Sequence, residues 1–175
     1  MEANGKGGDQ GIAWVIMGVC GCGKSQTGSR LAARLGAPFI EGDDYHSAAN
    51  VAKMKAGVPL TDEDRQGWLE ALRDELAGRG GQGAVLSCSS LKRAYRDILR
   101  GAGDVRFVHL AGERGLIAER MGARPGHYMP TSLLDSQMAS LEPLQPDETG
   151  ITLDIRDTPE RLVEQILAYS AGMRL

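Results

Sequence analysis

A chain of 175 residues with a formal net charge of −3 and 42% hydrophobic residues is long enough to bury one core without disulfide or metal staples. Its slightly acidic balance and 5% aromatic content exclude the basic footprint and the base-stacking surface of a nucleic-acid binder. No apolar stretch reaches the roughly 18 residues a membrane span needs, and three cysteines, an odd and sparse set, read as reduced thiols of a cytosolic protein.

Residues 1–11, with Gly5, Gly7, Gly8 and Gly11, read as a disordered leader. They have neither the apolar core of a signal peptide nor the Arg-rich amphipathic pattern of a transit peptide. Residues 12–175 read as a single domain. Ala13 to Met17 is an apolar run of strand length, and residues 18–25 read GVCGCGKS. That string fills the phosphate-loop pattern G-x-x-x-x-G-K-[ST] with Gly18, Gly23, Lys24 and Ser25. Glycines, Gly21 among them, let consecutive backbone N–H groups converge on an anion. Lys24 adds a flexible cation, the Ser25 hydroxyl can hold Mg²⁺, and Gln26 follows on the helix. A helical pattern with Leu31, Ala32 and Leu35 on one stripe stops at Gly36. A strand, this loop and a helix in series imply a nucleoside triphosphate site.

Cys20 and Cys22 have a C-x-C spacing, but no second Cys/His pair stands at zinc-ligand distance. The expectation is that both small side chains point away while the backbone binds phosphate. A thiol beside bound phosphate also suggests sensitivity to oxidation.

Residues 38–41 read as a short second strand, 47–56 as a polar helix, and 57–62 as a loop containing Pro59. Trp68, Leu69, Leu72 and Leu76 give a helix over 63–79, stopped by a glycine-rich stretch. Residues 84–86 read as a third strand, 91–101 as a helix, and 105–110 as a fourth strand with His109 as a core residue. Leu116, Ile117 and Met121 mark the next helix, residues 131–141 another, and 151–155 a fifth strand. Thr158-Pro159 then opens a last helix with Leu162, Val163, Ile166 and Leu167 buried. Strands alternating with helices imply an α/β fold, a parallel sheet covered on both faces, with ligands beyond the carboxyl ends of the strands.

Four polar clusters fall on that rim. Glu41 to His46 puts carboxylates at a strand end. Asp43 can take a proton from a hydroxyl and Glu41 can reach a Mg²⁺-bound water, while Asp44 reads as solvated. After the third strand come Ser87 to Ser90, then Lys92 and Arg96, spaced i, i+4 near a helix start; an anion pocket and a solvated face are both open readings. Arg120 and Arg124, again i, i+4 and followed by Gly126 and His127, suit a lid over about residues 113–130 that closes on phosphates, with exposed salt bridges as the bland alternative. Asp62, Arg65 and Trp68 form the fourth cluster, with Arg65 facing substrate and Trp68 in the core. His46 and His127 can each bond a sugar hydroxyl or a phosphate.

At these residues the chain resembles the small gluconate kinases of the P-loop kinase superfamily, relatives of shikimate and adenylate kinases. The likeness is carried by MGVCGCGKS, by EGDDYHSAANVAKMKAGVPLTDEDRQGWL, by CSSLKRAYRDILR, by FVHLAGERGLIAERMGARPGHYMP and by LLDSQMASLEPLQPDE. It covers most of the chain. Departures are small: Cys20 and Cys22 replace serine or alanine, Gln26 replaces threonine, and Glu41 replaces aspartate. The resemblance implies a three-layer fold with five parallel strands and a mobile helical lid. It also implies a cytoplasmic homodimer and transfer of the ATP γ-phosphoryl, with Mg²⁺, to the 6-hydroxyl of D-gluconate. On that reading Lys92, Arg96 and Arg65 hold the carboxylate, and His46, Asn50, Lys53, His127 and Gln137 read hydroxyls. Asp43 deprotonates the attacking hydroxyl, and Lys24, Arg120 and Arg124 neutralise the phosphoryl oxygens. The adenine packs between the Arg120 region and the loop Arg156 to Pro159. Rival readings are a shikimate-like or nucleoside monophosphate kinase on the same fold, and a nucleotide-gated regulatory module without turnover.

Overall fold

The computed structural model describes residues 11–122 and 131–172. In chain order its elements are β1 (Ala13–Met17), α1 (Lys24–Leu35), β2 (Phe39–Glu41), a 3₁₀ turn (Gly42–Tyr45), α2 (Ala48–Lys55) and α3 (Asp62–Arg79). A second 3₁₀ turn (Gly80–Gln82), β3 (Ala84–Ser87), α4 (Arg93–Arg100), β4 (Val105–Ala111), α5 (Arg114–Gly122), α6 (Thr131–Ser140), β5 (Gly150–Asp154) and α7 (Pro159–Gly172) complete it.

All five strands pair in parallel in the order β2-β3-β1-β4-β5. From β1 to β2 the chain travels one way across the sheet, and every later crossover travels the other way. Right-handed connections therefore place α1 on one face and α3 and α4 on the opposite face. The packing agrees, since α1 lies against α7 and α3 against α4. Covered on both sides, β1 is buried at all five positions, which is why AWVIM is a continuous apolar run with no alternation. It pairs with β3 through Ala13–Ile16 and with β4 through Ala13–Met17, so the loop that follows stands on a strand held from both sides.

Local chemistry fixes the ends of the helices. Gly36 closes α1 in the left-handed conformation with its N–H on the carbonyls of Ala32 and Ala33. Thr61 and Asp64 exchange side-chain-to-backbone hydrogen bonds of 3.1 and 2.9 Å, a capping box that starts α3. Thr158 accepts from the Arg161 N–H at 3.3 Å ahead of Pro159, the cap expected for α7. One boundary corrects the sequence reading: α4 starts at Arg93 rather than 91. Lys92 is its extended N-cap residue, and the Glu142 carboxylate receives the Arg93 N–H at 3.0 Å. Lys92 and Arg96 therefore do not form a pair on one helix face.

Candidate active site

The phosphate loop joins β1 to α1. Gly23, the residue before α1, has φ +93°, a backbone state glycine adopts without strain. The loop lies at the N-terminus of α1, where free N–H groups and the helix dipole favour an anion. The Lys24 ammonium donates to the Val19 carbonyl at 3.0 Å. Ser25 Oγ donates to Glu41 Oε2 and stands 3.4 Å from Ser87 Oγ. Three oxygen-bearing side chains from β2, β3 and α1 thus meet beside the loop. Such hard donors, one of them a carboxylate, suit Mg²⁺, which takes one or two protein oxygens and completes its shell with waters and phosphate. Among the described residues no group of three or more His, Cys, Asp and Glu side chains makes a metal cage of its own.

The two loop thiols behave differently. Cys22 is buried, and its Sγ would lie 2.7 Å from a Cβ built on Gly18, so it points into the core as expected. Cys20 is only partly buried: it packs against the edge of the core, 3.9 Å from Met121 Sδ, and its N–H donates to Gln137 Oε1 at 2.7 Å, while both residues line the cleft. Burial raises both thiols above their ordinary value, with the Lys24 charge pulling the other way. Both are therefore protonated near neutrality and are weak nucleophiles.

Opposite the loop, the 3₁₀ turn after β2 carries Asp43. A Cβ on Gly42 would overlap the Ser87 carbonyl oxygen, so only glycine lets this turn approach the end of β3 so closely. Trp68, on α3, donates its indole N–H to the Gly42 carbonyl at 2.7 Å and stacks on His46 with centroids 4.0 Å apart. It is buried, as expected, and also forms part of the cleft wall. Burial lowers the His46 pKa, the Asp43 charge opposing and the Arg65 charge assisting. Arg65 is 9% exposed and reaches the cleft. It donates to the Tyr95 hydroxyl at 3.1 Å with its guanidinium 5.3 Å from the ring centroid. Tyr95 in turn donates to Asp62.

A cleft of about 1130 Å³ brings together Gly21, Gly23, Lys24, Ser25, Gln26, Glu41, Asp43, His46, Arg65, Arg120, Gln137 and Arg156. Arg120 donates to the Ile155 carbonyl at 2.7 Å, and exposed Arg156 pairs with Asp154 at 2.7 Å. Gly18 lies under the loop, its N–H on the Ser89 carbonyl.

Four expected substrate contacts lie elsewhere. Arg96 is 0% exposed: its Nε and Nη2 donate to Glu148 at 2.7 and 2.9 Å, and Nη1 donates to the Ser90 and Leu91 carbonyls. Arg100 joins the same carboxylate. Burial opposes ionisation of Glu148, yet the two guanidiniums and the Gln145 N–H outweigh it and hold the pKa at about 2. A side chain so committed is structural. Lys92 pairs with Asp62 at 3.0 Å, and Lys53 with Asp64 at 2.8 Å, both outside the cleft wall. Asn50, 5% exposed, donates to the Asp64 carbonyl at 2.8 Å and lies 3.3 Å from His46 Nδ1. Arg124 and His127, and with them the second half of the expected lid, lie outside the described residues; α5 is its first half.

Ser87, Ser89 and Ser136 and the apolar Met54, Leu60 and Leu133 also line the cleft. The serines after β3 are visible in the sequence as a polar cluster, but nothing in the sequence says which of them face the loop.

Against known proteins, residues 20–169 match the family model described as "Shikimate kinase". The gluconokinase of Gluconobacter oxydans is 46% identical, the alignment covering 89% of each chain. The thermosensitive gluconokinase of Escherichia coli K12 is 47% identical over 89% of this chain and 85% of that one. The chain belongs to the gluconokinase family. A solved gluconokinase from Sinorhizobium meliloti 1021 superposes with a TM-score of 0.85 at 43% identity, covering 92% of both chains. Shikimate kinase from Aquifex aeolicus, at 16% identity and a TM-score of 0.64, shares the fold alone. The family-model match, residues 20–169, takes in most of the phosphate loop, the acidic turn and the Arg65 helix together.

Proposed function

We infer that the protein transfers the terminal phosphoryl group of ATP to the 6-hydroxyl of D-gluconate, giving 6-phospho-D-gluconate and ADP. The observation that carries this reading is the shared cleft. A phosphate loop faces an acidic turn across about 1130 Å³, more than a single small ligand needs and enough for a nucleotide and a sugar acid end to end. Gluconokinases named as such are its relatives at 46% and 47% identity.

In the proposed reaction the 6-oxygen attacks the terminal phosphorus. An O–P bond forms, the bond to ADP breaks, and the hydroxyl proton passes to Asp43. Lys24 and Arg120 offset the charge gathering on the phosphoryl oxygens, with Arg124 in the same role. Arg65, nearly buried and open on one side to the cleft, holds the gluconate carboxylate. His46 and Gln137 face its hydroxyls, and Arg156 and Pro159 line the adenine end. Ser25, with Glu41 through a water, would hold Mg²⁺, whose chemistry is to screen the phosphate oxygens. Three free cysteines agree with a cytoplasmic location, and no described helix is long and apolar enough to cross a membrane. A homodimer follows from the family resemblance; light scattering at micromolar concentration measures it.

ADP release measured with gluconate, shikimate and AMP as separate acceptors tests the reading. Turnover with gluconate alone is the expected result. Preference for shikimate or AMP transfers the chain to a rival kinase class, and ATP binding without turnover on any acceptor favours a regulatory module.

A further inference from the structure

His46 and Asn50 stand four residues apart, one on the turn before α2 and the other inside it. Asn50 is almost fully buried, and its Nδ2 donates to the Asp64 carbonyl at 2.8 Å. A carbonyl oxygen only accepts, so this bond fixes which end of the amide is NH₂. The same nitrogen lies 3.3 Å from His46 Nδ1 and has a second hydrogen to give. Nδ1 must then be the unprotonated ring nitrogen, and in the neutral ring the proton sits on Nε2. Asp64 is itself anchored by Lys53 and by the α3 capping box, so the carbonyl that orients Asn50 belongs to a rigid helix start.

The ring plane is fixed as well. His46 stacks on Trp68 at an interplanar angle of 17°, and its backbone N–H donates to the Asp43 carbonyl at 3.3 Å. Trp68 is held by the Gly42 carbonyl. His46 lines the cleft beside Asp43.

We propose that Asn50 is a positioning residue that locks His46 as the Nε2–H tautomer, making His46 a dedicated hydrogen-bond donor to an oxygen of the sugar-acid substrate. This rests on the gluconate reading and deepens it. A hydroxyl that accepts from His46 has its own proton directed elsewhere, toward an acceptor such as Asp43. A hydroxyl is both donor and acceptor, so the pair His46 and Asp43 reads it in one sense only. Burial keeps His46 neutral near pH 7, so the ring gives this bond without adding a cation beside the carboxylate-binding Arg65. The role of the H-x-x-x-N spacing is then divided: the histidine meets substrate and the asparagine sets the histidine.

Ring ¹⁵N spectra of the uniformly labelled, ligand-free protein test the lock directly. The expected result is a His46 Nδ1 resonance of the unprotonated type at pH 7, and loss of that bias in Asn50→Leu. A protonated Nδ1 in the unaltered protein, or an unchanged spectrum in Asn50→Leu, overturns the inference even if gluconate is turned over.

Kinetics test the donor role. Gln places an N–H near the position of Nε2, whereas Asn reaches only the Nδ1 position. His46→Gln should therefore hold the KM for gluconate within about threefold, while His46→Asn raises it about tenfold, the worth of one ordinary hydrogen bond. KM for ATP should not move in either. Equal losses in the two variants would reduce His46 to packing. Absence of gluconate turnover in the unaltered protein would instead remove the substrate reading and leave the tautomer result standing.

Discussion

Two buried arginines on adjacent helices show how one residue type serves opposite ends. Arg96 on α4 is sealed and spends its donors on Glu148 and on the carbonyls of Ser90, Leu91 and Pro143. Arg65 on α3 is almost as buried but donates to a neutral tyrosine hydroxyl, and the Asp62 carboxylate beyond that hydroxyl is shared by Tyr95 and Lys92. A guanidinium fully matched by a carboxylate has no affinity left for a ligand. One held by a phenol keeps its charge available. Burial alone does not mark a functional arginine; the identity of its partner does.

The contrast is broken most strongly at Arg96. Arg96→Ala leaves the Glu148 carboxylate to Arg100 and the Gln145 N–H alone and should destabilise the fold by about 3 kcal/mol, the low end of the cost of breaking a buried pair, read as a shift of the urea midpoint. Arg96→Met with Glu148→Leu removes both charges and should recover most of that loss, whereas a functional Arg96 would leave the double variant stable but inactive. At the cleft, Lys24→Ala and Asp43→Asn should each lower kcat about a hundredfold or more, the usual cost of removing an electrostatic contact to the transition state, with the thermal midpoint little changed. Near-normal kcat in Asp43→Asn would take that residue out of the proton transfer. Arg65→Ala should raise KM for gluconate by about ten- to a hundredfold, the worth of a charge-assisted bond, and leave KM for ATP alone. Lys92→Ala, expected from sequence to behave like Arg65→Ala, should change KM for gluconate less than about threefold, because an exposed pair is worth little.

Lowering the pH probes the same buried groups. Glu148 titrates at about 2 in the fold against 4.5 for a free carboxyl. The unfolded chain binds its proton first, so this stabilisation is complete above about pH 4.5 and is lost as pH falls toward 2. His109 is buried in β4, with no partner for Nδ1 among the described residues, and burial together with the Arg96 charge lowers it from 6.5 to about 4. It too is more easily protonated when unfolded, so it is neutral to stability above about pH 6.5 and imposes a growing penalty as pH falls from there to about 4. Acid unfolding should show two successive windows, with His46, whose pKa burial also lowers, adding to the upper one; His109→Gln should flatten the upper window in part and leave the lower one.

The elements were legible because their signals are local. The AWVIM run, the glycine after α1, the Thr158-Pro159 start of α7 and the leucine stripe of α3 each appear where the sequence places them. The phosphate loop and Asp43 were legible because strand-end loops of a parallel sheet converge. Arg96 was not, since its partner Glu148 lies 52 residues away and helical spacing cannot show that the arginine faces inward. Lys92 was misread because its position depends on where α4 begins, and that is set by Glu142 from a distant segment. Asn50 shows the same limit more finely: the resemblance names it, but only the Asp64 carbonyl and His46 Nδ1 show that its donors are already taken.

The strand order β2-β3-β1 also acts as a ruler. The acidic turn and the phosphate loop leave strands two spacings apart, roughly 10 Å at the ordinary distance between paired strands. That gap is measured out by hydrogen-bonded backbone, not by any flexible tether. It is wide enough for one phosphate and one hydroxymethyl group in line, so the reach of the reaction is a dimension of the sheet itself.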